Sequence, residues 1–297
     1  MSKKLIIVCV ALVLALIGTK LGSEEKKTVG ILQTASHPAL DQAKEEFTKE
    51  LKRLDPEIHF VVQNAEGSLT AARSSAELFH SQKKIKLIFA IGTPAAQAAA
   101  TTEKEKPLVF TAITDPAAAG LENENICGTT DRVDTDAQAK FIRKRLPNLK
   151  TIAILYNPAE ANSAAQVKSM QKSLEKEEIH YLLFGVHSEN EISQTIITAS
   201  QKVQALLIPA DNLLVGAMPL VSKEALKRAL PVIASDIPSV EKGAFAAQGA
   251  DYGDLGIKSA ALAHEILQGM SPKEVGIHHP EESKVVINES ILKELKL

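Results

Sequence analysis

The feature that most constrains this chain is an order of strands and helices that occurs twice. From Thr28 onward, short apolar runs rich in β-branched residues alternate with amphipathic helical stretches, a pattern typical of parallel sheets covered by helices. Matching strands lie about 120 residues apart: Val29 corresponds to Ile152, Ile91 to Ile208 and Phe110 to Ile233. We therefore predict an α/β protein of two lobes, each a doubly wound parallel sheet, joined by hinge strands.

The length of 297 residues suits two such lobes, because each can bury a core of its own. The predicted strands are 29–32, 60–62, 87–91 and 108–112 in the first set, 152–155, 181–184, 205–208 and 232–234 in the second, and 244–247 and 285–287 in the tail. We assign 28–131 with 251–276 to the first lobe and 132–250 with 277–297 to the second. Hinge segments are expected near 129–134, 248–251 and 276–280, where closure around a ligand is the natural motion.

The N-terminus has the pattern of an export signal over residues 1–23. Lys3 and Lys4 precede an apolar run of about 13 residues, 5–17, which is short of the roughly 20 residues needed to span a bilayer. A cleaved signal is favoured and a retained anchor is the alternative. Either places the protein in the periplasm or on the outer face of the cytoplasmic membrane.

Charge and composition exclude several classes of protein. Without residues 1–23 the chain has 31 basic and 36 acidic residues, a balance that argues against nucleic acid as a partner. Cys127 is then the one remaining cysteine, and we expect a small buried apolar residue. His278 and His279 are interpreted as a surface pair, with adventitious metal binding as the alternative. Motifs of hydrolases, nucleotide-binding loops and dinucleotide folds are missing from the sequence, so we predict no enzyme, cofactor or resident metal.

Polar, turn-forming residues follow the predicted strands in both halves. The matching loops are 36–38 with 157–159, 92–94 with 210–212, and 114–116 with 235–238. Because ligands of doubly wound sheets bind outside the carboxyl ends of the strands, facing lobes would bring six loops to one cleft. The alternative for any single loop is that these residues only form turns and helix caps.

The segment from Gly92 to Ala96 predicts a site for a carboxylate. Thr93 is placed at the N-cap of a helix and Pro94 at its first position, where the missing N–H costs nothing. The following amides and the helix dipole would then face a ligand anion, beginning at Ala95. A capped helix with nothing bound is the alternative.

An ammonium group would need an acid on the same cleft. Asp115, Asp211 and Asp236 are the candidates, and the sequence leaves open which of them binds it. His37, on the first loop, either contacts the ligand or caps the helix that begins at Pro38.

At these loops the chain resembles the ABC transporter substrate-binding family, whose members include binding proteins for tryptophan and other aromatic amino acids. The matching segments are HPALD at His37, IGTPAAQAAA at Ile91, VFTAITDPAAAGL at Val109, YNPAEANS at Tyr156, PADN at Pro209, PVIASD at Pro231 and QGADYGDLG at Gln248. The resemblance implies a type I periplasmic-binding fold, a membrane permease and an ATPase as partners, and no catalytic activity.

The resemblance also implies ligand-facing residues. These are His37, Thr93, Pro94, Ala95, Thr114, Asp115, Tyr156, Asn162, Ser163, Asp211, Asn212 and Asp236, to which we add Ser36 from the first loop. The chain departs from the family pattern at 34–36, where many relatives have a bulky residue first and an acid last. Without that acid, the ammonium would be left to one of the three candidate aspartates.

The sequence therefore predicts an extracytoplasmic, monomeric binding subunit of an ABC importer for an amino-acid-like ligand, with aromatic amino acids among the candidates. A module that uses the same cleft to signal to a membrane receptor is the alternative. A neighbouring permease and ATPase in the genome would favour transport, and a neighbouring sensor kinase would favour signalling.

Overall fold

The structure is a computed structural model that describes residues 27–280 and 283–297. The predicted signal segment, 1–23, lies outside the described residues. Within them no helix is both long enough and apolar enough to cross a bilayer.

Strands and helices alternate through most of the chain. The first half contains β1 (Thr28–Gln33), α1 (Pro38–Leu54), β2 (His59–Asn64), α2 (Leu69–Ser81), β3 (Ile85–Ile91), α3 (Thr93–Thr102), β4 (Leu108–Ile113), β5 (Ile126–Thr130) and α4 (Thr135–Arg145). The second half contains β6 (Thr151–Tyr156), α5 (Ala161–Lys176), β7 (His180–Gly185), α6 (Glu189–Ser200), β8 (Ala205–Ile208), α7 (Asn212–Gly216), α8 (Met218–Leu226), β9 (Val232–Ala234), a 3-10 helix (Ile237–Val240) and β10 (Ala246–Gly249). The tail contains α9 (Tyr252–Leu267), α10 (Pro272–Val275), β11 (Ile277–His278), β12 (Lys284–Ile287) and α11 (Glu289–Leu295).

The strands form two six-stranded sheets with matching topology. The orders are β11-β5-β4-β3-β1-β2 and β12-β10-β9-β8-β6-β7, and all neighbours run parallel except β12 on β10. β1, β3 and β4 occupy the same places in the first sheet as β6, β8 and β9 in the second, which confirms the duplication and the α/β fold. We call each sheet with its helices a lobe, first and second in chain order.

The central strands, such as β1, β3 and β4, are almost completely buried because helices cover both faces of each sheet, whereas the edge strands β2 and β7 are half-buried or exposed. On the first sheet, α1 buries a stripe of Leu40, Ala43, Phe47 and Leu51. α9 crosses α1 so closely that a Cβ at Gly256 would lie 2.3 Å from the carbonyl oxygen of Ala43. Backbone-to-backbone packing thus fixes α9 of the tail on the first lobe.

Three connections join the lobes among the described residues. Two of them, between β5 and α4 and between β10 and α9, are described throughout, and the third is implied because β11 belongs to the first sheet and β12 to the second; all are close to the predicted hinges. Of the residues expected in the second lobe, 277–297, the first two lie in the first lobe: Ile277 and His278 pair in parallel with Gly128 and Thr129 of β5. The chain therefore crosses back after residue 278, because β11 completes the edge of the first sheet.

Candidate functional site

The loops at the carboxyl ends of the strands enclose a small cavity between the lobes, with a volume of about 20 Å³. The first lobe contributes His37, Ala39, Leu40, Ala112, Asp131 and Tyr252, and the second contributes Asn162, Ala210, Asp211, Asn212, Val215 and Asp236. Five of the predicted site residues thus lie together: His37, Asn162, Asp211, Asn212 and Asp236.

Asp236 is a buried carboxylate on the second lobe. It caps the 3-10 helix by accepting hydrogen bonds from the amide of Ser239 at 3.0 Å and from its hydroxyl at 2.7 Å. Burial raises the pKa of Asp236, and the nearby Asp131 adds to this rise. The hydrogen bonds from Ser239 and the charge of His37 oppose it. Both neighbouring charges, His37 and Asp131, belong to the first lobe.

Asp131 is the corresponding acid of the first lobe, and the sequence analysis missed its role by placing it in a hinge. Its Oδ1 accepts from the hydroxyl of Thr114 at 2.9 Å and its Oδ2 accepts from Tyr252 Oη at 2.8 Å. Burial raises the pKa of Asp131 as well, despite these two donors. Thr114, a predicted ligand residue, is therefore a hydrogen-bond donor to Asp131.

Asp211 is the third buried acid. Its oxygens accept hydrogen bonds from Ser163 Oγ at 2.6 Å and from the amide of Leu214 at 3.0 Å, so the predicted residue Ser163 holds Asp211 in place. Burial, together with the nearby charge of Glu160, raises the pKa of Asp211 to about 7. The cavity thus has three carboxylates and, on its wall, a single imidazole.

His37 connects the lobes. It is the N-cap residue of α1, yet its side chain does not cap the helix. Its Nε2 lies 3.2 Å from Asn212 Oδ1 on the second lobe. His37 Nδ1 and Asn162 Oδ1 are buried without a hydrogen-bond partner, a condition that costs about 1 to 3 kcal/mol per group unless something pairs with them.

The predicted carboxylate site differs from expectation at its first residue. Gly92, with φ +86°, is the N-cap of α3, so Thr93 is already helical and the predicted cap is one residue late. The amide of Ala95 donates to Thr34 Oγ1 at 3.1 Å, while the hydroxyl of Thr93 is buried without a partner. Thr93, Pro94 and Ala95 do not line the cavity around the three acids.

Five other predicted residues also lie outside the cavity lining: Thr114 and Ser163, which hydrogen-bond to the buried acids, and Ser36, Asp115 and Tyr156. Ser36 is exposed and its hydroxyl donates to Asp41 at 2.7 Å. Asp115 is exposed and accepts from the amide of Ala118 at 3.0 Å, which is the turn-forming role. Tyr156 ends β6 and is half-buried.

Ala112 shapes the first-lobe wall through its backbone. It has φ +57°, a left-handed conformation that residues with a side chain rarely adopt, and the pairing of β4 with β5 is irregular at this point. Strained backbone of this kind is concentrated at ligand sites.

Metal binding finds no support within residues 27–280 and 283–297, where no group of three or more potential ligand side chains is close enough. His278 and His279 are exposed and bind different neighbours, the carbonyl of Val275 and the hydroxyl of Thr130.

Two matching α/β lobes with a polar cavity between them define a protein of the periplasmic-binding class. Residues 28–297 match the family of ABC transporter substrate binding proteins, and the chain belongs to this family. The family is one of non-enzymatic, extracytoplasmic binding proteins.

Three relatives show what the chain is similar to. A tyrosine-binding protein of Clostridioides difficile is 37% identical, over 94% of this chain and 83% of that protein. The crystal structure of an ABC domain in complex with L-Trp from Streptococcus pneumoniae has a TM-score of 0.88 and 30% identity, over 91% of this chain and 95% of that one. A ligand-free, open structure of a substrate binding protein from Clostridium difficile has a TM-score of 0.69 and 37% identity, with the same coverage.

The buried acids give a pH dependence to the stability of the unliganded protein. A carboxyl whose pKa is raised by folding binds more protons in the folded state, so the free energy of unfolding falls as pH rises from about 4 to about 7. We expect Asp211→Asn to remove on the order of 1 to 2 kcal/mol of the decrease between pH 5 and 7. Urea unfolding of the parent, Asp211→Asn and the exposed control Asp115→Asn measures it. An equal decrease in all three proteins would contradict this account of Asp211.

Proposed function

We propose that this protein is exported and delivers an amino acid, with L-tyrosine or L-tryptophan as first candidates, to the permease and ATPase of an ABC importer. The observation that supports this most directly is the meeting of Asp131 and Asp236 from opposite lobes at one cavity. Asp131 raises the pKa of Asp236, and two buried carboxylates of this kind are stabilised by a cation between them, such as an ammonium.

The hydrogen-bonding inventory supports the same ligand group. A carboxylate accepts only, and the unpaired Asn162 Oδ1 is another acceptor, because Asn162 Nδ2 already donates to the carbonyl of Ala210 at 2.6 Å. A ligand that enters here must therefore bring donors, and an ammonium has three. The apolar wall of Ala39, Leu40 and Val215 can contact an uncharged side chain.

Closure of the lobes is part of the proposal. The chain resembles the L-Trp complex at a TM-score of 0.88 and the ligand-free, open structure at 0.69, although its identity to the open one is higher. A rigid-body change between the lobes accounts for such a difference at equal coverage. The contact of His37 with Asn212 across the cleft is consistent with a closed arrangement.

A matched panel of ligands tests the proposal. We expect L-tyrosine, L-tryptophan or L-phenylalanine to raise the melting temperature of residues 24–297, because a ligand bound only by the folded state stabilises it. 3-(4-Hydroxyphenyl)propionate, which lacks the amino group, should give no shift at the same concentration. An equal shift with this analogue would show that the buried acids do not bind an ammonium. A shift with a sugar but with no amino acid would contradict the ligand class.

A further inference from the structure

A single side-chain pair joins the walls of the cavity directly in the part of the chain that the structure describes. His37 Nε2, on the loop that opens α1 of the first lobe, lies 3.2 Å from Oδ1 of Asn212, the first residue of α7 in the second lobe. The sequence analysis predicted both residues as ligand contacts.

Glu160 determines how the Asn212 side chain is oriented. Asn212 Nδ2 donates to Glu160 Oε2 at 2.7 Å, and the amide of Asn212 donates to the same oxygen at 3.0 Å. The other oxygen, Oε1, accepts from the amide of Leu213 at 3.2 Å. Because a carboxylate only accepts, the Asn212 amide must present its NH₂ to Glu160 and its oxygen to the first lobe.

This orientation in turn determines the tautomer of His37. Asn212 Oδ1 can only accept, so a hydrogen bond with it requires the proton on Nε2 of His37. Nδ1 is buried and unpaired on a residue that lines the cavity: it is an acceptor when the ring is neutral and a donor when the ring carries the charge that acts on Asp236.

We propose that Glu160 is a positioning residue for lobe closure. It holds the Asn212 side chain so that Asn212 accepts a hydrogen bond from His37, and this hydrogen bond, which we call the latch, stabilises the closed arrangement of the lobes. This inference rests on the proposed function only in assuming that the lobes close around a ligand. Glu160 lines no part of the cavity and reaches it in two ways, by its hydrogen bonds to Asn212 and by its charge on Asp211, of which only the first is shared with Asn212→Ala.

The test compares Glu160→Gln with the parent. Glutamine can accept as well as donate, so the Asn212 amide is free to turn and the Nε2–H tautomer of His37 loses its fixed acceptor. We expect ¹⁵N spectra of the His37 ring to show Nε2–H in the parent and a mixture of tautomers in the variant. Loss of one hydrogen bond should make stopped-flow dissociation of L-tyrosine about three- to tenfold faster, with little change in association.

Two further variants separate positioning from a merely structural role. Glu175→Gln removes the same charge from the exposed far end of α5 and should behave as the parent. Asn212→Ala should speed dissociation to the same extent as Glu160→Gln, and the double variant should add nothing, since residues that act through one contact are not additive. Additive effects would overturn the proposal.

The ring spectra and the radius of gyration of the unliganded protein need no ligand, so they test the latch even if L-tyrosine fails to bind and the proposed function falls. An unchanged His37 tautomer in Glu160→Gln overturns the positioning role. If the tautomer changes but the dissociation rate does not, the latch is overturned. If no ligand binds, we expect a larger radius of gyration for unliganded Glu160→Gln than for the parent, and an unchanged radius overturns the latch.

Discussion

Asp236→Ala is expected to lose about 30-fold to a few thousandfold in affinity for the amino-acid ligand while it keeps the fold. Truncation of one partner of a buried charge pair typically costs about 2 to 5 kcal/mol, and each tenfold in affinity corresponds to about 1.4 kcal/mol. Asp236 is buried, with 1% of its surface exposed, and it interacts with the charges of the opposite lobe, so this range of energies applies to it. Calorimetric titration with L-tyrosine measures the affinity, and circular dichroism checks the fold.

The control for this variant is Asp115→Ala, because Asp115 is the exposed counterpart of Asp236 in the first half of the sequence. It should bind within about threefold of the parent, which is ~0.7 kcal/mol. If Asp236→Ala binds normally while Asp211→Ala fails to bind, Asp211 binds the ammonium and our assignment of Asp236 is wrong. Normal binding by all three variants and by Asp131→Ala would contradict the amino-acid ligand itself.

Gly256→Leu is expected to destabilise the first lobe by about 3 kcal/mol or more, since overpacking of a dense interior costs about 1 to 3 kcal/mol even where atoms can shift. The Cβ would lie 2.3 Å from a backbone oxygen of α1, which cannot move without the helix. Gly216→Leu is the matched control, because a Cβ at this exposed position of α7 meets nothing within 4 Å. Urea unfolding compares the two, and equal stabilities would show that α1 and α9 are not packed as described.

The duplicated fold could be predicted because buried positions recur along the sequence with the period of the strand or helix that contains them. Strands buried on both faces, such as β3, read as continuous apolar runs, and the stripe on α1 repeats every three or four residues. The edge at which polar loops gather follows from the direction of parallel strands alone. These are local or topological properties, so a single sequence displays them.

Which acids line the cavity was harder to predict from the sequence than the fold. Asp115 and Asp236 occupy matching places in the repeat, yet one lies in solvent and the other is buried against Ser239. The first lobe instead supplies Asp131, which follows the neighbouring strand β5, and this depends on how the chain leaves the sheet toward the hinge. Tyr252, separated from Asp131 by 121 residues, carries no sequence signal that the two side chains meet.

Burial of Cys127 in β5 has a practical consequence for measurements of lobe motion. The side chain is fully buried, and burial together with the charge of Glu265 raises the pKa of its thiol to about 12, so almost no thiolate forms at neutral pH. Maleimide and methanethiosulfonate reagents attack the thiolate. A pair of cysteines introduced on the two lobes of residues 24–297 can therefore be labelled for distance spectroscopy with the native thiol left in place.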